Sequence, residues 1–296
     1  MKSNALRAAG ALLLLLAAAG CGRSRPEAAT GISAEKRYPL AGEVVSVDPA
    51  RKVLVVRHDA IKDLMPAMTM EFSVSGAAAA ALKPGQRIRA ELIPSDKGDW
   101  RLEKIWPDDK SAGAAVDAQA AALRQDTLIR GNGAYREIGE TIPDFALYDQ
   151  EGKVVSSGRF RGKQVMLNFI YSRCPVATMC PAATMKMMAT QKLAHAAGVP
   201  DLELVSITLD PGYDTPAVLK EYAAERGIDT SNFSLLTGPE SAIKDLLAQF
   251  GIIADFQGNL LNHTLATVLV NENGRIIHRA DGREWEPADF VAKMKK

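Results

Sequence analysis

The hydrophobic and polar positions of this chain change period several times, and each change marks an element. After Lys2 and Arg7, residues 8–19 form an apolar run rich in Ala and Leu. From residue 42 apolar and polar positions alternate in short stretches bounded by Gly, Pro and Asp, which predicts half-buried strands. The stretches fall at 42–48 and 53–58, joined by a turn at Pro49, then at 68–74, 87–93 and 100–105, with an Ala-rich helix at 77–82. Residues 107–136 lose the alternation and read as a linker carrying a helix at 114–124. Beyond them the pattern changes again. Residues 164–170, 202–209 and 266–270 are nearly continuous apolar runs, as expected of strands buried on both faces. Helical spans at 182–197, 215–226, 240–250 and 286–295 separate or follow them, with a short strand at 234–236. A hairpin at 145–148 and 153–155 precedes this region, and 275–279 pairs back on 266–270 through Asn271 to Gly274.

Short strands with one small helical insertion predict a small β-barrel of the OB type over residues 38–106. Strands alternating with helices and closed by a hairpin predict a thioredoxin-like α/β sandwich over 137–296. A length of 296 residues suits two modest domains. Residues 1–20 read as a signal peptide, because the apolar run is too short to span a bilayer and ends in small residues. Ala18-Ala19-Gly20-Cys21 resembles a bacterial lipobox, in which Cys21 is lipidated and residues 21–37 become a tether. That places the chain in the bacterial cell envelope, anchored to a membrane and facing the periplasm. A net charge of +1 offers no field for nucleic acid. The remaining cysteines, Cys174 and Cys180, then lie where disulfides are permitted.

Two clusters carry candidate chemistry. Met68 and Met70 are two apart on one predicted strand and share a face. His58 ends the partner strand on the face of Leu54 and Val56, and Met65 precedes Pro66 in the connecting loop. Thioether and imidazole are soft, neutral ligands suited to Cu(I). The same stripe, continued by Phe72 and Val74, is also what an ordinary core-facing strand looks like. The run from His58-Asp59 through Met65-Pro66-Ala67-Met68-Thr69-Met70 resembles the periplasmic copper-binding CusF family. The resemblance implies that His58, Met68 and Met70 bind Cu(I) within a small OB-type barrel. The family's tryptophan before the proline is Met65 here, one residue closer to the histidine, where it could supply a third sulfur or simply occupy the loop.

In the second cluster, Cys174 follows the buried strand and Cys180-Pro181 opens the next helix, whose N-terminus favours a thiolate. His263 lies on the loop before the strand at 266–270, facing the same corner. Two thiolates and an imidazole suit Cu(I), or Cu(II) with a further weak ligand, and two thiols alone could equally form a structural disulfide. His195 and His278 lack comparable surroundings. Phe169-Ile-Tyr-Ser-Arg-Cys174-Pro, Cys180-Pro181, Ser206-Ile-Thr-Leu-Asp210-Pro211, Asp214-Thr-Pro216 and Asn262-His263 resemble the Sco/SenC family in order and content. The resemblance implies a thioredoxin-like domain that binds copper through Cys174, Cys180 and His263 and helps assemble the copper centre of cytochrome c oxidase. The family's usual three residues between the cysteines are five here, Pro175 to Met179.

These readings converge on a metallochaperone that passes copper to an envelope client such as a cytochrome c oxidase subunit. The competing class is a thiol–disulfide oxidoreductase that reduces a copper client's cysteines through Cys174 and Cys180. The residues before the strand, Asn262-His263-Thr264-Leu265, lack the proline typical of that class.

Overall fold

The computed structural model describes residues 35–95, 98–257 and 260–295. Residues 1–34, with the expected signal peptide, Cys21 and most of the tether, lie outside them. Among the described residues no helix is long and apolar enough to cross a membrane.

The N-terminal half contains β1 (Tyr38–Asp48), β2 (Val53–His58), β3 (Met68–Ser73), α1 (Gly76–Ala81), β4 (Arg87–Ile93) and β5 (Arg101–Pro107). The strands pair in the ring order β1-β2-β3-β5-β4, and β1 bonds both β2 and β4. Alternate residues point inward, so Leu40, Val44, Leu54, Val56, Phe72, Ile88 and Leu92 fill the interior. The strand β1 serves two neighbours by bending at a bulge between Val44 and Ser46. It crosses closest at Gly42, where a Cβ would sit 2.8 Å from the Arg57 carbonyl and the His58 Cα. Only glycine fits there, and this crossing sets the position of His58. The helix α1 is started by Ser75, whose Oγ accepts from the Ala78 amide at 3.1 Å.

The region expected as a linker is α2 (Lys110–Arg130). Asp109 caps it by accepting from the Ser111 and Ala112 amides. Val116 and Leu123, seven apart, are its buried residues and lie on one face. The helix expected at 114–124 is therefore present but longer, and the segment is docked rather than a free linker. The Ala-rich composition masked an apolar stripe of one residue per two turns, and small residues let the helix lie close. Polar anchors complete the docking. Arg124 meets buried Asp245 at 2.9 Å, and buried Arg136 reaches Gln249, Asp126 and the Thr141 carbonyl.

The C-terminal half runs β6 (Ala146–Tyr148), β7 (Val154–Ser156), β8 (Gln164–Ile170), α3 (Cys180–Ala196), β9 (Leu202–Thr208), α4 (Pro216–Arg226), β10 (Phe233–Leu236), α5 (Glu240–Gln249), β11 (Ala254–Gln257), β12 (Leu260–His263), β13 (Ala266–Val270), β14 (Ile276–Asp281) and α6 (Pro287–Val291). The main sheet has the order β10-β9-β8-β13-β14, parallel across β10, β9 and β8 and antiparallel beyond. Every residue of β8, β9 and β13 is buried, as the continuous apolar runs require. This is a thioredoxin-like fold, with the hairpin β6–β7 as an N-terminal addition.

The ring packs directly on this fold. Helix α1 lies against α4, and Trp106 meets Tyr148 edge-on at 5.9 Å. A Cβ on Gly152 would come within 2.9 Å of Pro107. Val116 of α2 joins Ala146, Tyr148, Trp106 and Val154 in a small apolar cluster that ties ring, helix and sheet together.

Candidate metal centre

The corner beyond β8 is built by two loops and a hairpin. After Ile170 the chain turns, with the Cys174 amide bonding the Tyr171 carbonyl at 3.3 Å, and the turn buries Cys174. Residues 175–178 are exposed. A second turn, Met179 amide to Val176 carbonyl at 3.0 Å, returns the chain so that α3 starts at Cys180 rather than two residues later. The third candidate residue comes from a hairpin that the alternation pattern does not reveal. His263 is the last residue of β12, paired with Ala254 of β11, and not part of a loop. Thr264 pins this end by donating its amide to the Ile253 carbonyl and accepting the Ile253 amide on Oγ1.

Cys174, Cys180 and His263 each place one ligand atom within 4.8 Å of the others. The Cys180 Sγ is 3.6 Å from His263 Nε2. Metal bonds of about 2.0–2.3 Å in a trigonal set separate ligand atoms by roughly 3.5–4 Å, so a small contraction closes the triad on a metal. Both cysteines are free thiols. His263 Nδ1 lies 3.1 Å from the Thr264 carbonyl. That bond assigns the proton to Nδ1 and leaves the Nε2 lone pair facing Cys180, the arrangement a metal-binding imidazole uses. The Tyr171 ring stands edge-on to His263 at 5.5 Å.

Electrostatics depart from expectation at Cys180. The helix start and the Tyr171 backbone amide favour a thiolate, but burial and the neighbouring Cys174 push the thiol well up. Burial wins because the side chain is only 1% exposed. Burial likewise lowers the His263 pKa, so its imidazole is neutral. Behind the cysteines, Asp214 is fully buried and accepts from the Ser172 amide at 3.1 Å, from the Ser172 hydroxyl, and from Thr208 Oγ1 at 2.6 Å. Arg173 meets Asp210 at 2.7 Å. These bonds fix the turn that carries Cys174.

The ring places its candidates on the inner face of one strand pair. His58 pairs with Met68, Val56 with Met70, and Leu54 with Phe72. His58 is buried, its Nδ1 lies 2.7 Å from the Asp59 carbonyl, and its Nε2 has no hydrogen-bond partner among the described residues. A buried imidazole nitrogen left unpaired is costly in a purely structural role and is what a ligand position needs. Met68 is 47% exposed at the rim, whereas Met70 and Met65 are half-buried against the ring interior. Met65 is held by a bridge to Ile61. His195 is exposed at the end of α3, and His278 packs on Phe290 at 4.8 Å, so neither joins a cluster.

Residues 133–296 match the SCO1/SenC family model, which is more than half of the chain. The chain belongs to the SCO1/SenC family. Residues 37–107 match the family of the copper binding periplasmic protein CusF. An SCO2-like protein of Rickettsia typhi is 34% identical over 148 residues, 48% of this chain and 68% of that protein. An SCO1 protein homolog of Bacillus subtilis is 30% identical over 157 residues, 51% of this chain and 78% of that protein. Among solved structures, a SCO1/SenC family lipoprotein from Bacillus anthracis is 27% identical, with a TM-score of 0.49, over 54% of this chain and 97% of that one.

As a SCO1/SenC chain, it shows which residues sequence reasoning passed over. Asp214 and Ser172 carry no signal of their role in the sequence, because a buried carboxylate looks no different there from a loop aspartate. Tyr171 follows the apolar run 164–170 with no sign in the sequence of its place, although its ring borders His263. The hairpin β11–β12 left no alternation strong enough to find.

Proposed function

We propose that this chain is an envelope copper chaperone. Copper is captured at two soft sites, His58 with Met68 and Met70 in the ring and Cys174, Cys180 and His263 at the corner, and is passed to a client protein. The observation that carries the reading is the triad within 4.8 Å, with the His263 lone pair directed at Cys180. Two thiolates and an imidazole discriminate for Cu(I), and Cu(II) would need a further ligand. The unpaired His58 Nε2 beside Met68 supports the ring site, and Met65, half-buried against the ring interior, is a candidate for an added sulfur. The ring of strands is read as an OB-type barrel, a shape that leaves such a site at its mouth. Both family matches support copper as the cargo, and the Sco resemblance supports the copper centre of cytochrome c oxidase as the client. Signal peptide, lipidation at Cys21 and a periplasm-facing anchor follow from the N-terminal pattern and agree with the periplasmic description of the matched CusF family.

The second reading, a thiol–disulfide oxidoreductase, draws on two free thiols held close together. The deciding experiment uses the full chain with the ring site removed (His58→Ala, Met68→Leu, Met70→Leu). Cu(I) affinity by anaerobic chelator competition and thiol exchange with a model disulfide are measured with and without His263→Ala. A chaperone loses copper affinity by orders of magnitude and keeps its exchange rate. Retained affinity with lost exchange overturns the proposal in favour of the oxidoreductase.

A further inference from the structure

We infer that Met179 is a soft ligand of the corner site, a thioether that joins Cys174, Cys180 and His263 around Cu(I). The inference rests on the copper reading of that corner and goes beyond it in ligand set and selectivity. Three observations support it. Met179 lines the same open cleft of about 560 Å³ as His263, together with Tyr135, Leu265 and Arg283. Its side chain is half-buried against the core beside the site rather than turned out with residues 175–178. It also holds the N-cap position of α3 while giving that helix no side-chain cap. Ser, Thr, Asp or Asn at that position would contribute about 1 kcal/mol by satisfying a free amide, a contribution that the thioether of Met179 does not make.

The five-residue spacing gives the means. The turn from Val176 to Met179 takes up the residues between the cysteines and brings the chain back with Met179 joined directly to Cys180. A flexible, polarizable thioether lining the cleft can reach a metal held by its neighbour. A neutral sulfur strengthens binding of Cu(I) or Ag(I) and adds nothing for Zn(II), so the site gains selectivity without gaining charge.

The test uses the full chain in the ring-site background above, labelled with ¹³C-methyl methionine and titrated with Ag(I). The Met179 methyl resonance, assigned by its loss in Met179→Leu, is expected to shift in step with the first equivalent. Met179→Leu keeps the side-chain volume and is expected to weaken Cu(I) about tenfold while leaving Zn(II) affinity unchanged. A Met179 methyl that stays put while the site fills, or an unchanged Cu(I) affinity in the variant, overturns the inference. Cys174→Ser run in parallel separates the two levels. Undiminished binding in that variant defeats the copper reading of the corner itself, whereas binding lost there but unchanged in Met179→Leu defeats only the role of Met179.

Discussion

Asp214→Asn offers a quantitative check on the physics of the corner. Asp214 accepts three hydrogen bonds, each of which favours its ionised form, yet burial outweighs them and raises its pKa from 3.8 to about 6. A carboxyl raised in this way works against the folded state at neutral pH. Between the two values the folded chain holds a proton that the unfolded chain has released, so stability falls as pH rises. The contribution is fully present below 3.8 and is lost as pH passes about 6. A shift of about two units corresponds to about 3 kcal/mol. Asparagine can keep the network, because its carbonyl accepts from the Ser172 amide and Thr208 while its amide donates to a rotated Ser172 hydroxyl. Urea unfolding of both chains, reduced and metal-free, from about pH 4 to about pH 7.5, gives the difference free of other titrations. Wild type should lose about 2 kcal/mol relative to Asp214→Asn across that window, the remainder of the shift having been lost below about pH 4. Parallel curves, or a wild type that gains on the variant as pH rises, would show that the hydrogen bonds beat desolvation and would refute the reasoning.

Other consequences can be measured in the same preparations. Burial keeps the Cys180 proton in place, so Cu(I) binding must expel it. Affinity should therefore tighten at least about tenfold per pH unit around neutrality, with proton release visible in weakly buffered titrations. His263, lowered by burial, contributes no proton in that range. Gly42→Ala forces a methyl against Arg57 and His58 and should cost about 1–3 kcal/mol in thermal unfolding while weakening ring-site Cu(I) binding. Arg136→Ala strips a buried guanidinium from Gln249, Asp126 and the Thr141 carbonyl and should cost about 3 kcal/mol in chemical unfolding.

The parts of the fold legible in the sequence are those where burial is one-sided or complete. Alternation found β2 and β3, and with them the shared face of His58, Met68 and Met70. Continuous apolar runs found β8, β9 and β13, and hence the corner where Cys174 and Cys180 meet. What escaped did so for separate reasons. The helix expected at 114–124 is present, but the full length and docking of α2 are hidden among alanines, with Val116 and Leu123 the buried residues of its 21. The hairpin β11–β12 has too few alternating positions to register, so His263 was placed at the right corner on the wrong element. The protonation of Cys180 depends on how deeply α3 is covered, and local sequence carries no record of depth.

The docking of α2 fixes how this chain can be divided. Neither family match extends over residues 108–132, yet Val116, Leu123 and the partners of Asp245 and Gln249 lie there. A chain cleaved at the boundary of the matched regions would keep its whole copper corner and lose the cover of α5, exposing apolar surface and stranding Asp245. The segment that joins two recognisable modules has thus become a structural requirement of one of them. A deletion that removed the ring together with this helix would yield an unstable remnant rather than a simpler Sco protein.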